Sequence, residues 1–339
     1  MLTSGALRHP GFRLVKAGES LELRDHATDL SWRPVPFTGT ADVGRVLAEF
    51  ERGATIVLQA LHHTHPPIAA FCRGLEAVLG HPVQANAYFT PRGSQGLPVH
   101  HDTHDVFCLQ VAGEKRWLVY EPVFELPLRD QRYTEELGDP GEPGLDLVLR
   151  PGDTLYLPRG WLHEALTSDS DSLHLTIGVV AHTWLDAVRA ALDECADDIE
   201  FRRSVPDDGV ASADLLAALA ERLEPEAVAR RKRCRLVGSR RPVLDGQLSE
   251  LRAVNELGVE TALERRPTVL FELEGTVLTF EGKRVSVPVK AREELEAVAS
   301  TDGLFRASEL PGHLDDEGRL VLVRRLVREG FLRRSAADA

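Results

Sequence analysis

The sequence lacks the features that would place it in several large protein classes. Its four cysteines, Cys72, Cys108, Cys195 and Cys234, lie far apart and never form a CxxC pair, so neither a disulfide framework nor a thiolate metal cage is expected. Apolar neighbours, as in Val106-Phe107-Cys108-Leu109, mark them as reduced, structural thiols. No apolar run approaches the roughly eighteen residues of a membrane-spanning helix. The first residues, MLTSGALRHPGF, lack the basic and apolar segments of a signal peptide, and a cytoplasmic location is expected. A surplus of positive charge is missing too. The chain has 40 Lys plus Arg against 53 Asp plus Glu, a net charge of -13, whereas neutralising phosphates needs the opposite balance. Direct nucleic-acid binding is therefore not expected, and a basic partner suits the charge better. Neither an internal repeat nor a low-complexity tract is present.

The chain has the makings of a folded protein. A hydrophobic fraction of 43% beside 27% charged residues supports a packed core. At 339 residues the chain exceeds one comfortable core, so two or three domains are expected. Three zones differ in pattern. From about residue 20 to 180 short apolar runs broken by Gly and Pro predict strands, among them Phe107 to Val111, Arg116 to Tyr120, Asp146 to Leu149 and Leu173 to Val180. Two helical patches interrupt them, near Val43 to Arg52 and Ile68 to Leu79. From Trp184 the period becomes helical, with Trp184, Val188, Ala191, Leu192 and Cys195 on one stripe and a second stripe from Ala213 to Leu223. The run Arg230-Arg231-Lys232-Arg233 follows Glu224 and Glu226 and is read as a solvated helix face. The last zone predicts a hairpin, Thr268 to Leu273 and Thr276 to Phe280, a strand from Lys283 to Val287, and helices from Ala291 to Ala299 and Asp315 to Glu329. That order suits a winged helix. Its balance of eleven basic to ten acidic residues over 283–339 favours protein contact over reading DNA.

The most informative stretch is Val99-His100-His101-Asp102, between the loop Gly93-Ser94-Gln95-Gly96 and an apolar strand. In a strand, alternate residues share a face, so His100 and Asp102 should point into a barrel while His101 points away. The segment Pro151-Gly152-Asp153, Thr154 to Leu157, Pro158-Arg159-Gly160 and then Trp161-Leu162-His163 reads as turn, strand and turn, and it presents His163 on entering the next element. Two imidazoles and one carboxylate form a facial triad that holds Fe(II) and leaves positions open for co-substrate and dioxygen. HxD alone is a weak signal, and the downstream turn ending in His163 is what strengthens it. The cluster His62, His63 and His65 in HHTHP reads as a helix boundary before a proline. His104 shares the parity of His100 and Asp102, and its role is open.

The run Asn86-Ala87-Tyr88-Phe89-Thr90-Pro91-Arg92-Gly93-Ser94-Gln95-Gly96, then His100-His101-Asp102, Asp105-Val106-Phe107 and Gly113-Glu114-Lys115-Arg116-Trp117, resembles the JmjC-type ribosomal oxygenases. The distal PGD and PxGxxH segment resembles them as well. The resemblance spans most of the chain and implies a mainly β fold with α elements. A double-stranded β-helix (cupin/JmjC) barrel over 1–182 would be followed by a helical dimerisation domain over 183–262 and a winged helix over 263–339. It also implies His100, Asp102 and His163 as ligands of Fe(II). Lys115 and Thr176 would serve 2-oxoglutarate, and Asn86 and Tyr88 the substrate. The implied activity is a 2-oxoglutarate-dependent dioxygenase that consumes O2 and hydroxylates a histidine or arginine side chain of a ribosomal or other basic protein, as a homodimer away from membranes. Three other readings stay open: an oxygenase of a small molecule or biosynthetic peptide, a metal-sensing cupin and winged-helix binding protein, and a metal-dependent cupin without 2-oxoglutarate. Lys115 separates the first implied activity from the last alternative.

Overall fold

The computed structural model describes residues 7–30 and 37–335, and the chain divides into two compact units, 1–181 and 182–339. Strand alternation builds the first. Its strands are β1 (Phe12–Lys16), β2 (Glu19–Ser20), β3 (Ala27–Leu30), β4 (Phe37–Ala41), β5 (Thr55–Leu58), β6 (Val83–Thr90) and β7 (His100–His101), then β8 (Asp105–Ala112), β9 (Lys115–Tyr120), β10 (Leu145–Leu149), β11 (Thr154–Leu157), β12 (Leu162–Leu166) and β13 (Ser172–Val179). Four helices lie among them, α1 (Leu23–His26), α2 (Val43–Glu51), α3 (Leu61–Thr64) and α4 (Pro66–Leu79). One antiparallel sheet runs β11-β8-β13-β6-β5-β1-β2 and the other β10-β9-β12-β7, while β3 and β4 form a separate pair.

The sheet faces sort by parity. On β6 the odd residues Val83, Ala85 and Ala87 are buried with Leu61, Cys72, Ile177 and Val179, so α3 and α4 cover the outer face of the large sheet. Val106 and Cys108 of β8 instead pack with Trp117 and Val119 of β9, Leu149 and Leu157, in a core shared by the two sheets. Each such fully buried aliphatic side chain contributes roughly 1.5–3 kcal/mol. One turn fixes where β9 begins. Gly113 has φ of +63°, and a Cβ there would lie 1.8 Å from the Asp171 carbonyl oxygen, so only glycine lets β8 reverse into Lys115.

The second unit holds α5 (Trp184–Cys195), α6 (Ala213–Glu221), α7 (Pro225–Ser239), α8 (Gln247–Ala253), α9 (Arg292–Ser300) and α10 (Asp316–Glu329). Strands β14 (Leu263–Arg265) and β18 (Leu332–Arg334) pair, and β15 (Phe271–Glu274), β16 (Val277–Phe280) and β17 (Lys283–Ser286) form a meander. A core from Val254 to Leu332 unites these strands with α9 and α10. The hairpin starts three residues later than Thr268, because Thr268 has φ of 62°, which interrupts an extended chain. The expected helical stripe splits: Ala191 and Cys195 are buried with Ala187, whereas Trp184 and Leu192 are exposed. The basic run is neutralised locally, Arg230 by Glu274 at 3.6 Å, Arg231 by Glu194 at 2.7 Å and Arg233 by Glu272 at 2.8 Å. All four cysteines are free thiols, and Cys72, Cys108 and Cys195 are buried. Among the described residues no helix is long and apolar enough to cross a membrane.

Candidate metal centre

Register brings the two halves of the motif together. β7 pairs with β12 so that His100 lies directly opposite His163, with ring centroids 4.4 Å apart. The strand ends at His101, and Asp102 is held just beyond it by its own carbonyl, which accepts the Gly160 N–H at 3.1 Å. The His163 Nε2 is 3.8 Å from Asp102 Oδ2. One ligand atom from each of His100, Asp102 and His163 lies within 4.8 Å of the others.

The imidazoles are oriented by main chain. His100 Nδ1 donates to the Pro98 carbonyl at 2.8 Å, and His163 Nδ1 to the Trp161 carbonyl at 3.0 Å. A carbonyl only accepts, so each Nδ1 carries the proton and each Nε2 keeps a lone pair for a cation. Burial, helped by the neighbouring His100, brings the His163 pKa down to about 4, which keeps its ring neutral near pH 7. The residues present thus fit a divalent cation with two nitrogen ligands and one oxygen ligand.

A cavity of about 420 Å³ opens beside the triad and is lined by Lys115, Tyr88, Thr176 and His174 among others. Lys115, first residue of β9, is 4% exposed, and burial draws its pKa down to about 8. Its Nζ donates to Thr90 Oγ1 at 3.1 Å, and the same oxygen accepts Thr55 Oγ1 at 3.1 Å. Two of the three ammonium donors of this cavity-lining residue therefore have no protein acceptor among the described residues. Tyr88 stacks on His174 with centroids 5.1 Å apart and planes 7° apart. Burial and then Asp102 push the Tyr88 hydroxyl pKa up to about 12, so it stays protonated as a donor.

Not every expected residue reaches the cavity. Asn86 is absent from its lining, and its Oδ1 accepts the Ala60 N–H at 3.0 Å, holding the turn into α3 where Ala60 has φ of 54°. His101 lies outside the ligand cluster, but contrary to the expectation from alternation it also lines the cavity; its ring is buried, with Nε2 3.0 Å from the Gln131 carbonyl. His104 lines the cavity outside the ligand cluster. Its Nε2 lies 3.1 Å from Gln84 Nε2, and a Cβ on Gly178 would come within 2.4 Å of its ring. His62 Nδ1 accepts the Ala85 N–H at 3.1 Å, and His65 stands at the N-cap position of α4 without a side-chain cap bond, before the helix opens on Pro66, in keeping with a helix boundary.

Several lining residues carry no site role in the sequence reading, among them His174, Arg13 and Arg132. His174 sits two residues before Thr176 on the same face of β13, so the alternation that placed Thr176 also points to it. Arg13, on β1, lies before the zone where strand patterning became recognisable.

A JmjC domain model matches residues 61–187. Human ribosomal oxygenase 1 is 31% identical over 288 residues, covering 78% of this chain and 43% of that protein. The Drosophila persimilis bifunctional lysine-specific demethylase and histidyl-hydroxylase NO66 is 41% identical over 133 residues, 39% of this chain and 19% of that protein. The chain spans less than half the length of these curated relatives. Among solved structures, the Escherichia coli ribosomal oxygenase YcfD in complex with cobalt and 2-oxoglutarate superposes with a TM-score of 0.55 at 21% identity, covering 96% of this chain and 86% of that one. The domain match, the relatives and the shared cupin-type barrel converge: the chain contains a JmjC domain and is a homologue of the ribosomal oxygenases.

Proposed function

We propose that this chain is an Fe(II)- and 2-oxoglutarate-dependent oxygenase that hydroxylates a histidine or arginine side chain of a ribosomal or other basic protein. One observation carries the reading: a two-histidine, one-carboxylate cluster and a buried, ion-pair-free Lys115 share one cavity. His100 and His163 would each give Nε2 and Asp102 a carboxylate oxygen to the metal. When bound, Fe(II) with 2-oxoglutarate and dioxygen supplies an oxidant for a C–H bond, and succinate and carbon dioxide are the by-products. Lys115 would pair with the far carboxylate of 2-oxoglutarate, and Thr90 and Thr55 hold the ammonium in place for it. Thr176 and Tyr88 would line the route to the metal, with Tyr88 donating a hydrogen bond to the substrate. The buried rings of His174 and Trp117, set edge to face at 5.4 Å, keep water from the cavity wall.

The names of the homologues support a ribosomal target, and the net charge of -13 suits a basic one. The exposed Trp184 and Leu192 of α5 support a homodimer formed through the helical segment over 183–262. The helices and meander from 263 onward support a winged-helix module used for protein contact rather than DNA reading. A cytoplasmic location fits the free cysteines and acidic balance. The experiment is a comparison of intact masses of ribosomal proteins from cells with and without the gene. A mass gain of one oxygen atom that depends on the gene supports the reading, and identical masses across all ribosomal proteins refute that target.

A further inference from the structure

Three cationic side chains line the cavity: the buried Lys115, the half-buried Arg13 and the exposed Arg132. Register sets cavity-facing side chains in rows across the large sheet. Thr55 lies opposite Val15, and its hydroxyl reaches Thr90 and so Lys115; two residues along, Arg13, Val57, Tyr88 and His174 follow one another from β1 to β13. The rows stand about 7 Å apart along the strands. Arg13 is thus on a different step of the wall from Lys115, beside Tyr88, whose hydroxyl feels both the Arg13 guanidinium and the Asp102 carboxylate. Val57 stands between Arg13 and Tyr88 in that row.

The guanidinium is incompletely satisfied. Its Nη1 donates to Ser20 Oγ at 3.2 Å and a side-chain hydrogen bond joins the guanidinium to the Tyr88 hydroxyl, while its Nε is buried with no hydrogen-bond partner. No ion pair involves it among the described residues, whereas other arginines there, such as Arg116 with Asp146 and Arg231 with Glu194, find a carboxylate. A guanidinium is charged at every relevant pH and offers a planar fork that suits a carboxylate. An unpaired charge with a buried N–H costs free energy that an incoming acceptor recovers.

We propose that Arg13, with the Tyr88 hydroxyl beside it, is a second anion-reading subsite, distinct from Lys115, that takes a carboxylate of the primary substrate next to the atom being oxidised. The subsite rests on the oxygenase reading for its purpose but not for its existence. Arg13 is then a specificity residue: it selects substrates with an acidic group near the target, and co-substrate binding does not use it.

The test uses acetate as probe on the full chain loaded with Mn(II) and saturated with 2-oxoglutarate. Bound near the paramagnetic ion, the acetate methyl protons relax faster. Arg13→Gln should weaken this acetate binding by about tenfold or more, the loss of one charge-assisted pair. Arg13→Lys should restore part of it, and Ser20→Ala should leave it unchanged. The affinity for 2-oxoglutarate should be the same in all of these proteins. Equal acetate relaxation in Arg13→Gln overturns the subsite. A tenfold loss of 2-oxoglutarate affinity in that variant also overturns it, since Arg13 would then belong to the co-substrate. If the wild-type chain takes up neither Mn(II) nor 2-oxoglutarate, the oxygenase reading fails instead. Acetate saturation transfer on the metal-free protein then decides on the subsite, which stands only if Arg13→Gln loses the signal.

Discussion

Lys115→Met should make the metal-free protein more stable while removing its co-substrate. A lysine pKa lowered from the ordinary 10.5 to about 8 means that the unfolded chain holds this proton more tightly than the folded one. At about 1.4 kcal/mol per tenfold, the charged side chain opposes folding at pH 7 by about 3 kcal/mol. That deficit closes as pH rises from about 8 to 10.5, because both states are then neutral. Methionine keeps the unbranched shape and removes the charge. The lost bond to Thr90 Oγ1 takes back about 1 kcal/mol. The net gain of about 2 kcal/mol should raise the melting temperature at pH 7 by about 4–8 °C. In the same variant, anaerobic titration of the Fe(II) protein, followed by metal-to-ligand charge-transfer absorption, should show 2-oxoglutarate affinity lower by about a hundredfold or more. Saturating 2-oxoglutarate should accordingly raise the melting temperature of the wild type and not of the variant. A variant that melts several degrees lower, or binds 2-oxoglutarate as the wild type does, would refute the idea that this ammonium is held uncompensated for an anion.

His100→Ala, Asp102→Ala and His163→Ala should each abolish Fe(II)-supported 2-oxoglutarate turnover with circular dichroism unchanged, and His101→Ala should retain turnover; full activity in His163→Ala would sink the ligand set. Affinity for 2-oxoglutarate should be flat below pH of about 8 and fall about tenfold per unit above it, since the free protein then loses the Lys115 proton that the dianion needs. A flat profile to pH 10 would assign the carboxylate to a group that does not titrate there. Light scattering at micromolar concentration should give a dimer, and Trp184→Glu, which changes a side chain 72% exposed in one chain, should give a monomer that keeps its fold. A wild-type monomer would refute the composite assembly.

Much of the site was legible because strand chemistry is local. Period-two alternation separates His100 and Asp102 from His101, and the glycine-rich turns before His163 mark where the chain reverses. Parity could not show how far each side chain travels. Asn86 has the same parity as Tyr88, but it lies where Ala60 needs an acceptor and turns to that backbone N–H. Arg13 is hard to read for a different reason: β1 is five residues long, and in FRLVK the alternation Phe12-Arg13-Leu14 is broken at once by Val15, too short a run to mark a half-buried strand. In the second unit, Thr268 shows that a β-branched residue with strong strand preference can still occupy a left-handed turn when the pairing beyond it sets the register.

The carbonyl acceptors of His100 and His163 have a consequence for mutational tolerance. Imidazole orientation at many metal centres depends on a carboxylate side chain, so a single substitution can loosen a ligand without touching it. Here the acceptors belong to the peptide backbone at Pro98 and Trp161, two residues before each histidine. Replacing either side chain leaves the carbonyl where it was, provided the local turn survives. Damage to ligand geometry should therefore come from changes that move the main chain, such as a bulkier residue at Gly160, whose Cβ would sit 2.7 Å from the Phe124 carbonyl oxygen. Sequence drift around the centre is buffered as long as its turns are kept.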